Sequence, residues 1–320
     1  MKNKNGVMSV NAIIEKITEQ IQEGIYPGAS LALYRKGQWS EHYLGLADPE
    51  KGESVVADLV YDLASVSKVV GVATICAFLY AKGELALDRP FKELYPRFAH
   101  EKTTIRELLT HTSGLDPFIP NRDQLDARQL KTALENLQLK EDKSFHYTDV
   151  NFLLLGFWLE DRFHQPLDRL FEELIFTPWK MTETRFGPVE KAVPTVRGLA
   201  SGSVHDPKAR VLGPHAGSAG LFSTVADLER FLEHYLKDDF ARDLSQNFAR
   251  EEGKTRALGW NLEGDWLDHT GYTGTFIMYN RKRQEAVIFL SNRTYEKDER
   301  AQWILDRNSL MDLIKQEFEK

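Results

Sequence analysis

Apolar positions recur along the chain with two different rhythms. Over residues 10–23, Ile13, Ile14, Ile17 and Ile21 repeat at the spacing of a helix with one buried face. Residues 30–34 and 39–46 are β-rich runs around Arg35-Lys36-Gly37-Gln38, the pattern of a hairpin. From about residue 66 to 240 the pattern is mostly helical, as at 105–109, 151–163 and 226–236. Short β-rich runs return at 264–271, 275–280 and 286–290, and 298–318 reads as a closing helix. The spacing predicts an α/β (α+β) fold. One sheet, built from both chain ends, is flanked by helices, and an all-helical domain is inserted between its parts. The expected boundaries are 1–75 with 240–320 for the sheet domain and 76–239 for the insertion, together forming a single catalytic unit. No repeat, low-complexity tract or Gly/Ser linker interrupts this division.

The longest apolar run, 69–81, is too short for a bilayer span of about 20 residues and reads as a buried core helix. No membrane span is expected. The N-terminus, MKNKNGVMSV, has two lysines without an apolar stretch behind them, so the expectation is no secretory signal and a cytoplasmic location. Composition narrows the classes further. With 42% hydrophobic and 28% charged residues in 320, the chain is globular rather than disordered. A net charge of −7 leaves no basic surplus for nucleic acid. The single cysteine, Cys76, excludes an internal disulfide framework and any Cys-rich metal site.

Ser65-Val66-Ser67-Lys68 is the one Ser-x-x-Lys in the chain, and it directly precedes the 69–81 run. That places Ser65 at the N-terminus of a buried helix, where free N–H groups favour developing negative charge. Positions i and i+3 share a helix face, so the Lys68 amine can reach the Ser65 oxygen. A lysine desolvated by the core can have its pKa lowered and help activate a serine. Ala216-Gly217-Ser218-Ala219-Gly220 competes as a nucleophile turn. It comes after Gly213-Pro214-His215 rather than a buried strand, and reads better as a small-residue turn into the helix beginning near Thr224.

Six stretches, in order, resemble the class C β-lactamase-like serine hydrolases, a family that includes penicillin-binding-protein-like peptidases and esterases. They are Ala64 to Lys68, Leu108 to Leu115 (LLTHTSGL), Phe145 to Asn151 (FHYTDVN), Gly217 to Thr224 (GSAGLFST), His269 to Gly274 (HTGYTG) and Ser291-Asn292-Arg293. The resemblance implies a β-lactamase/DD-peptidase-like fold and a metal-independent serine hydrolase working through an acyl-enzyme, with no cofactor. Ser65 would be the nucleophile, Tyr147 the general base and Lys68 its partner. The N–H groups of Ser65 and Tyr272 would hold the oxyanion, and Gly271 would let substrate lie close to the strand edge.

Two positions depart from the family pattern. Asp149 stands where an Asn is frequent; an ionised carboxylate only accepts hydrogen bonds, so in place of an amide donor it would hold and charge Lys68. His269 stands where β-lactamases carry Lys; a histidine is mostly neutral at pH 7, so its grip on a substrate carboxylate is expected to be weak. The implied substrates are esters or amides: a D-amino-acid peptide, a cell-wall fragment, a small ester or a β-lactam. The alternative is a penicillin-binding-protein-like sensor or binding module without turnover. His111 is expected to be a structural helix-end residue. His205 and Asp206 resemble a loop lining the pocket in part of the family. Cys76 is expected to be inert packing, and no histidine spacing fits a metal site.

Overall fold

The computed structural model describes residues 10–251 and 253–320. The N-terminal 1–9 segment, on which most of the leader expectation rests, lies outside them. The amphipathic stretch at the start forms α1 (Val10–Gln22), with Ile13 and Ile17 fully buried. The hairpin forms β1 (Gly28–Arg35) and β2 (Gln38–Asp48), followed by β3 (Glu53–Ser54). The late strands are β7 (Asn261–Glu263), β8 (Trp266–Thr270), β9 (Phe276–Asn280) and β10 (Glu285–Ser291), and the closing helix is α10 (Arg300–Glu319). They assemble into one seven-stranded sheet of order β3-β2-β1-β10-β9-β8-β7. Strands from the two chain ends meet where β1 pairs antiparallel with β10, Ala29 opposite Ser291 through Tyr34 opposite Ala286.

Strand β1 reads GASLALYR without a clean alternation because both of its faces are covered. Ala29, Leu31 and Leu33 join Ile13, Ile17, Trp303 and Ile314 in a layer with the terminal helices. Ala32 and Tyr34 belong instead to the large second core, which continues through the helical part. That core holds Val69 to Ala77, Phe152 to Leu155, Phe231 and Trp260. Burying each large aliphatic or aromatic side chain there contributes about 2 kcal/mol.

Between β4 (Tyr61–Asp62) and β7 run helices α2 (Thr74–Ala81), α3 (Phe91–Leu94), α4 (Ile105–Thr110), α5 (Ala127–Glu135), α6 (Val150–Phe163), α7 (Leu167–Phe171), α8 (Pro207–Leu212) and α9 (Val225–Lys237). The apolar run after Lys68 is not one regular helix. It opens as a π-helical turn, Val69–Ala73, and becomes α-helical only at Thr74. The 18 residues Ala64–Ala81 are long and apolar enough to cross a bilayer, but 78% of them are buried inside the molecule. A second, three-stranded sheet has no counterpart in the sequence pattern. Strand β6 (Leu221–Ser223) pairs with β4 on one side and β5 (Arg185–Phe186) on the other. This small sheet lies beside the nucleophile turn, because β4 ends at Asp62.

Candidate active site

Ser65 lies in a 3₁₀ turn, Ala64–Val66, between β4 and the apolar helix. The residue before it, Ala64, adopts φ 46°, a left-handed conformation that costs a non-glycine residue about 1–2 kcal/mol. The turn is anchored to the sheet through Leu63, whose N–H donates to Leu221 and whose carbonyl accepts from the Thr275 hydroxyl at 3.1 Å. Lys68 is completely buried and spends all three protons. Its Nζ donates to Ser65 Oγ at 2.8 Å, to Asp149 Oδ1 at 2.7 Å and to the Ser218 carbonyl at 2.9 Å.

These contacts reverse one expectation. Burial alone pushes the Lys68 ammonium down, but the Asp149 carboxylate outweighs it and leaves Lys68 above its ordinary value. Lys68 is therefore a cation rather than a free amine. Asp149 is held in the converse way. Burial works to raise its carboxyl, but Lys68 and Lys208 overcome this and keep it well below the usual carboxylate range. Lys208, on α8, reaches Asp149 Oδ2 at 3.2 Å and Asp206 Oδ2 at 3.7 Å. No motif marked Lys208 in the sequence. Only the approach of α8 to the start of α6 brings it to Asp149.

Tyr147 is about one-third exposed, and its ring centre lies 5.2 Å from Lys68 Nζ. His111 positions it from behind. Helix α4 starts with a capping box between Thr104 and Glu107 and ends with His111 in a left-handed conformation, φ 58°. The His111 carbonyl accepts the His146 N–H at 2.9 Å, and its Nδ1 accepts the Thr148 N–H at 3.4 Å, so both neighbours of Tyr147 are tied to one residue. The two rings stand 4.6 Å apart. A ring nitrogen that accepts an amide N–H carries no proton, and burial with Arg256 and Lys68 nearby lowers His111 well below 6.5. The structural role expected of His111 thus holds, and that role serves the site.

His269, on β8, is also buried, with Nδ1 3.1 Å from the Thr270 carbonyl. Burial, then Lys68 and Arg256, push it well below 6.5. Its ring lies 6.1 Å from that of Tyr147. Gly271 has a packing reason. A Cβ there would fall 2.6 Å from the Leu63 carbonyl oxygen and 2.1 Å from Thr275 Oγ1, so only glycine lets β8 close onto the nucleophile turn. Neither residue borders the cavity in front of Ser65. That cavity, of about 820 Å³, is lined by Ser65, Tyr147, Asp149, Lys208, His205 and Tyr272, among others. Tyr272 is partly exposed, and its hydroxyl donates to Asp298. The His205 ring faces it at 5.5 Å, and Asp206 caps α8 by accepting the Ala209 N–H at 2.8 Å.

Ser218 is fully buried and serves Lys68 through its carbonyl, not its hydroxyl. A Cβ at Gly217 would fall 2.3 Å from the Phe152 carbonyl oxygen, so the small residues let this turn press against α6. Cys76 is buried, and burial pushes its thiol up to about 12, which leaves it without nucleophilic character.

A serine, a charged lysine, a tyrosine and a paired carboxylate therefore converge at one cavity. Residues 13–310 match the beta-lactamase family model. The chain belongs to the beta-lactamase family. Members compared with it include a putative D-alanyl-D-alanine carboxypeptidase of Escherichia coli (strain K12), 27% identical over 363 aligned residues that cover 90% of this chain and 83% of the relative. A putative D-alanyl-D-alanine carboxypeptidase of Salmonella typhi is 25% identical, over 87% of this chain and 81% of the relative. Among solved structures, the beta-lactamase/D-alanine carboxypeptidase from Pseudomonas syringae superposes with TM-score 0.72 at 20% identity, covering 92% of this chain and 97% of its own. EstCE1, a hydrolase with promiscuous acyltransferase activity, gives TM-score 0.73 at 19% identity, over 94% and 97%. The structural likeness shows the shared fold, a mixed α/β molecule with an antiparallel sheet. Family membership makes this chain a serine hydrolase.

Proposed function

We propose that this beta-lactamase family member cleaves an amide or ester carrying a carboxylate, of the D-aminoacyl type, with Ser65 as nucleophile. The observation that supports the site is the fully buried Lys68, which donates at 2.8 Å to Ser65 Oγ while Asp149 keeps it charged. A lysine in that state orients the hydroxyl but does not take its proton. The base is then Tyr147, whose ring centre lies 5.2 Å from that cation. Ser65 Oγ attacks the carbonyl carbon as its proton passes to Tyr147, and the developing oxyanion sits between the N–H groups of Ser65 and Tyr272. Tyr147 returns the proton to the leaving group. Water then repeats the sequence on the acyl-enzyme.

The cavity wall supports a charged substrate. Arg122, Arg197 and Lys208 border the cavity already paired with carboxylates, but Arg210 and Arg300 border it with no ion pair among the described residues, on a protein whose overall net charge is −7. Such unpaired cations attract anions that the whole molecule repels. The cationic grip that buried, neutral His269 does not supply is thus available from the cavity wall.

Labelling with a fluorophosphonate tests the nucleophile. The wild-type protein takes up one adduct, and Ser65→Ala takes up none while keeping its thermal transition; an adduct of unchanged yield in the variant refutes the assignment. Intact-mass measurement with D-aminoacyl amides, p-nitrophenyl esters and β-lactams then separates turnover from a persistent adduct, the signature of a sensor.

A further inference from the structure

The carboxylate of Asp62 takes no part in the chain from Ser65 through Lys68 to Asp149, yet it touches both ends of that assembly. Asp62 ends β4, opposite Phe222 of β6, and is 2% exposed. Its Oδ1 accepts the N–H of Ala64, the left-handed residue immediately before Ser65, at 2.8 Å. Its Oδ2 accepts the N–H of His205 at 2.7 Å. Its own carbonyl accepts from the Thr273 hydroxyl at 2.9 Å, next to Tyr272.

The His205 contact matters because His205 leads directly into α8. Asp206 caps α8, and α8 carries Lys208, which pairs with Asp149. Asp149 holds Lys68, and Lys68 holds Ser65 Oγ. The contacts therefore form a closed ring that leaves Ser65 through its side chain and returns through Asp62 to its backbone. We propose that Asp62 is a positioning residue for catalysis: its ionised carboxylate holds the left-handed turn under Ser65 and ties it to the 205–208 segment, so that one proton on Asp62 slackens both. The proposal rests on the reading of Ser65 as the nucleophile.

Two donors set the chemistry. An ionised carboxylate accepts both N–H groups. Once protonated, the carboxyl loses its charge and the oxygen that carries the hydrogen becomes a poorer acceptor, so the contacts weaken. A strained φ at a non-glycine residue persists only while its surroundings enforce it. The charged groups around Asp62 are Asp206 and Arg210, on the segment tied to it. Burial is the main cause that lowers His205 beside them from its ordinary value, and β6 and the turn at Thr273 present uncharged residues. Burial raises the Asp62 carboxyl to about 6, against its two backbone hydrogen bonds, which places the switch inside the working pH range.

The test is the rate of Ser65 labelling by a fluorophosphonate from about pH 5 to 8, read by intact mass. Wild-type labelling should fall about tenfold on the acid side, with a midpoint near 6. Asp62→Asn accepts only one of the two N–H groups at any pH. It should label about tenfold more slowly at pH 7.5 and show no acid limb. Ala64→Gly adopts the left-handed turn without strain and needs less holding, so its limb should be shallower than wild type. This variant decides the question even if Asp62→Asn does not fold. A flat wild-type profile, an undiminished limb in Ala64→Gly, or an acid limb retained by Asp62→Asn overturns the role of Asp62. Wild-type protein that never labels refutes the nucleophile reading instead.

Discussion

Lys68, His111 and His269 all stand around the Tyr147 ring, and the lysine and the histidines treat charge in opposite ways. Lys68 is wholly buried but paired, and its contact with Asp149, itself reached by Lys208, keeps Lys68 and Asp149 ionised. The histidines are as deeply buried, but no carboxylate pairs with either among the described residues, and both stay neutral. Burial is nearly the same on both sides, so it does not decide the outcome. The partner does: a buried charge survives only where an opposite charge and hydrogen bonds replace the water it lost. Tyr147 thus stands beside one paired cation and two neutral rings.

The strongest way to break this contrast is to remove the cation. Lys68→Met should lower the acylation rate about 10³-fold, measured by single-turnover labelling, since both the orienting contact to Ser65 and the field on Tyr147 disappear. A loss below tenfold would show that the lysine is only structural. Removing its partner should matter less. Asp149→Asn leaves Lys68 buried without a carboxylate, which should cost about 2 kcal/mol in a denaturant titration. Unchanged stability would mean that the ion pair does not carry the site.

The smallest effect belongs to the neutral side. A histidine whose folded pKa is depressed contributes nothing to the pH dependence above about 6.5, where it is neutral in both folded and unfolded chains. Below that value the unfolded chain takes up a proton that the folded chain refuses. Stability is therefore lost as pH falls, by about 1.4 kcal/mol per unit for each such histidine. His269→Gln cannot titrate, so comparing its unfolding free energy with wild type at pH 6.5 and 5.5 should show a fall shallower by about 1 kcal/mol, since the full slope is reached only below the unfolded value. Parallel curves would mean that His269 is protonated in the folded protein.

Much of the architecture was legible along the chain. The α1 stripe, the β1–β2 hairpin, strands β8, β9 and β10 and helix α10 all lie close to where the apolar rhythm placed them, because each repeats over at least five residues. The three-stranded sheet was not legible: its strands are two or three residues long, too short to show a period, and exist only because β6 runs between β4 and β5. The site divides in the same way. Ser65 and Lys68 are three apart, and their contact comes from local geometry. Lys208 and Asp62 carry no motif, the Ser218 carbonyl lies in one that does not point to Lys68, and all three are outside any helical turn shared with it, so nothing short of the fold connects them to it.

What the sequence by itself determined is the set of reactive groups and their order along the chain: Ser65 and Lys68 at a helix entrance, Tyr147 before a second helix, and His269 on a late strand. What the tertiary structure decided is the charge carried at Lys68 and at His269. The same burial that predicts a weakened lysine yields a permanent cation at Lys68, because Asp149 and the Ser218 carbonyl arrive from elsewhere. At His269 it yields a neutral ring, because no such partner arrives. Hydrophobic periodicity is a property of neighbours in sequence, whereas a pKa is set by neighbours in space.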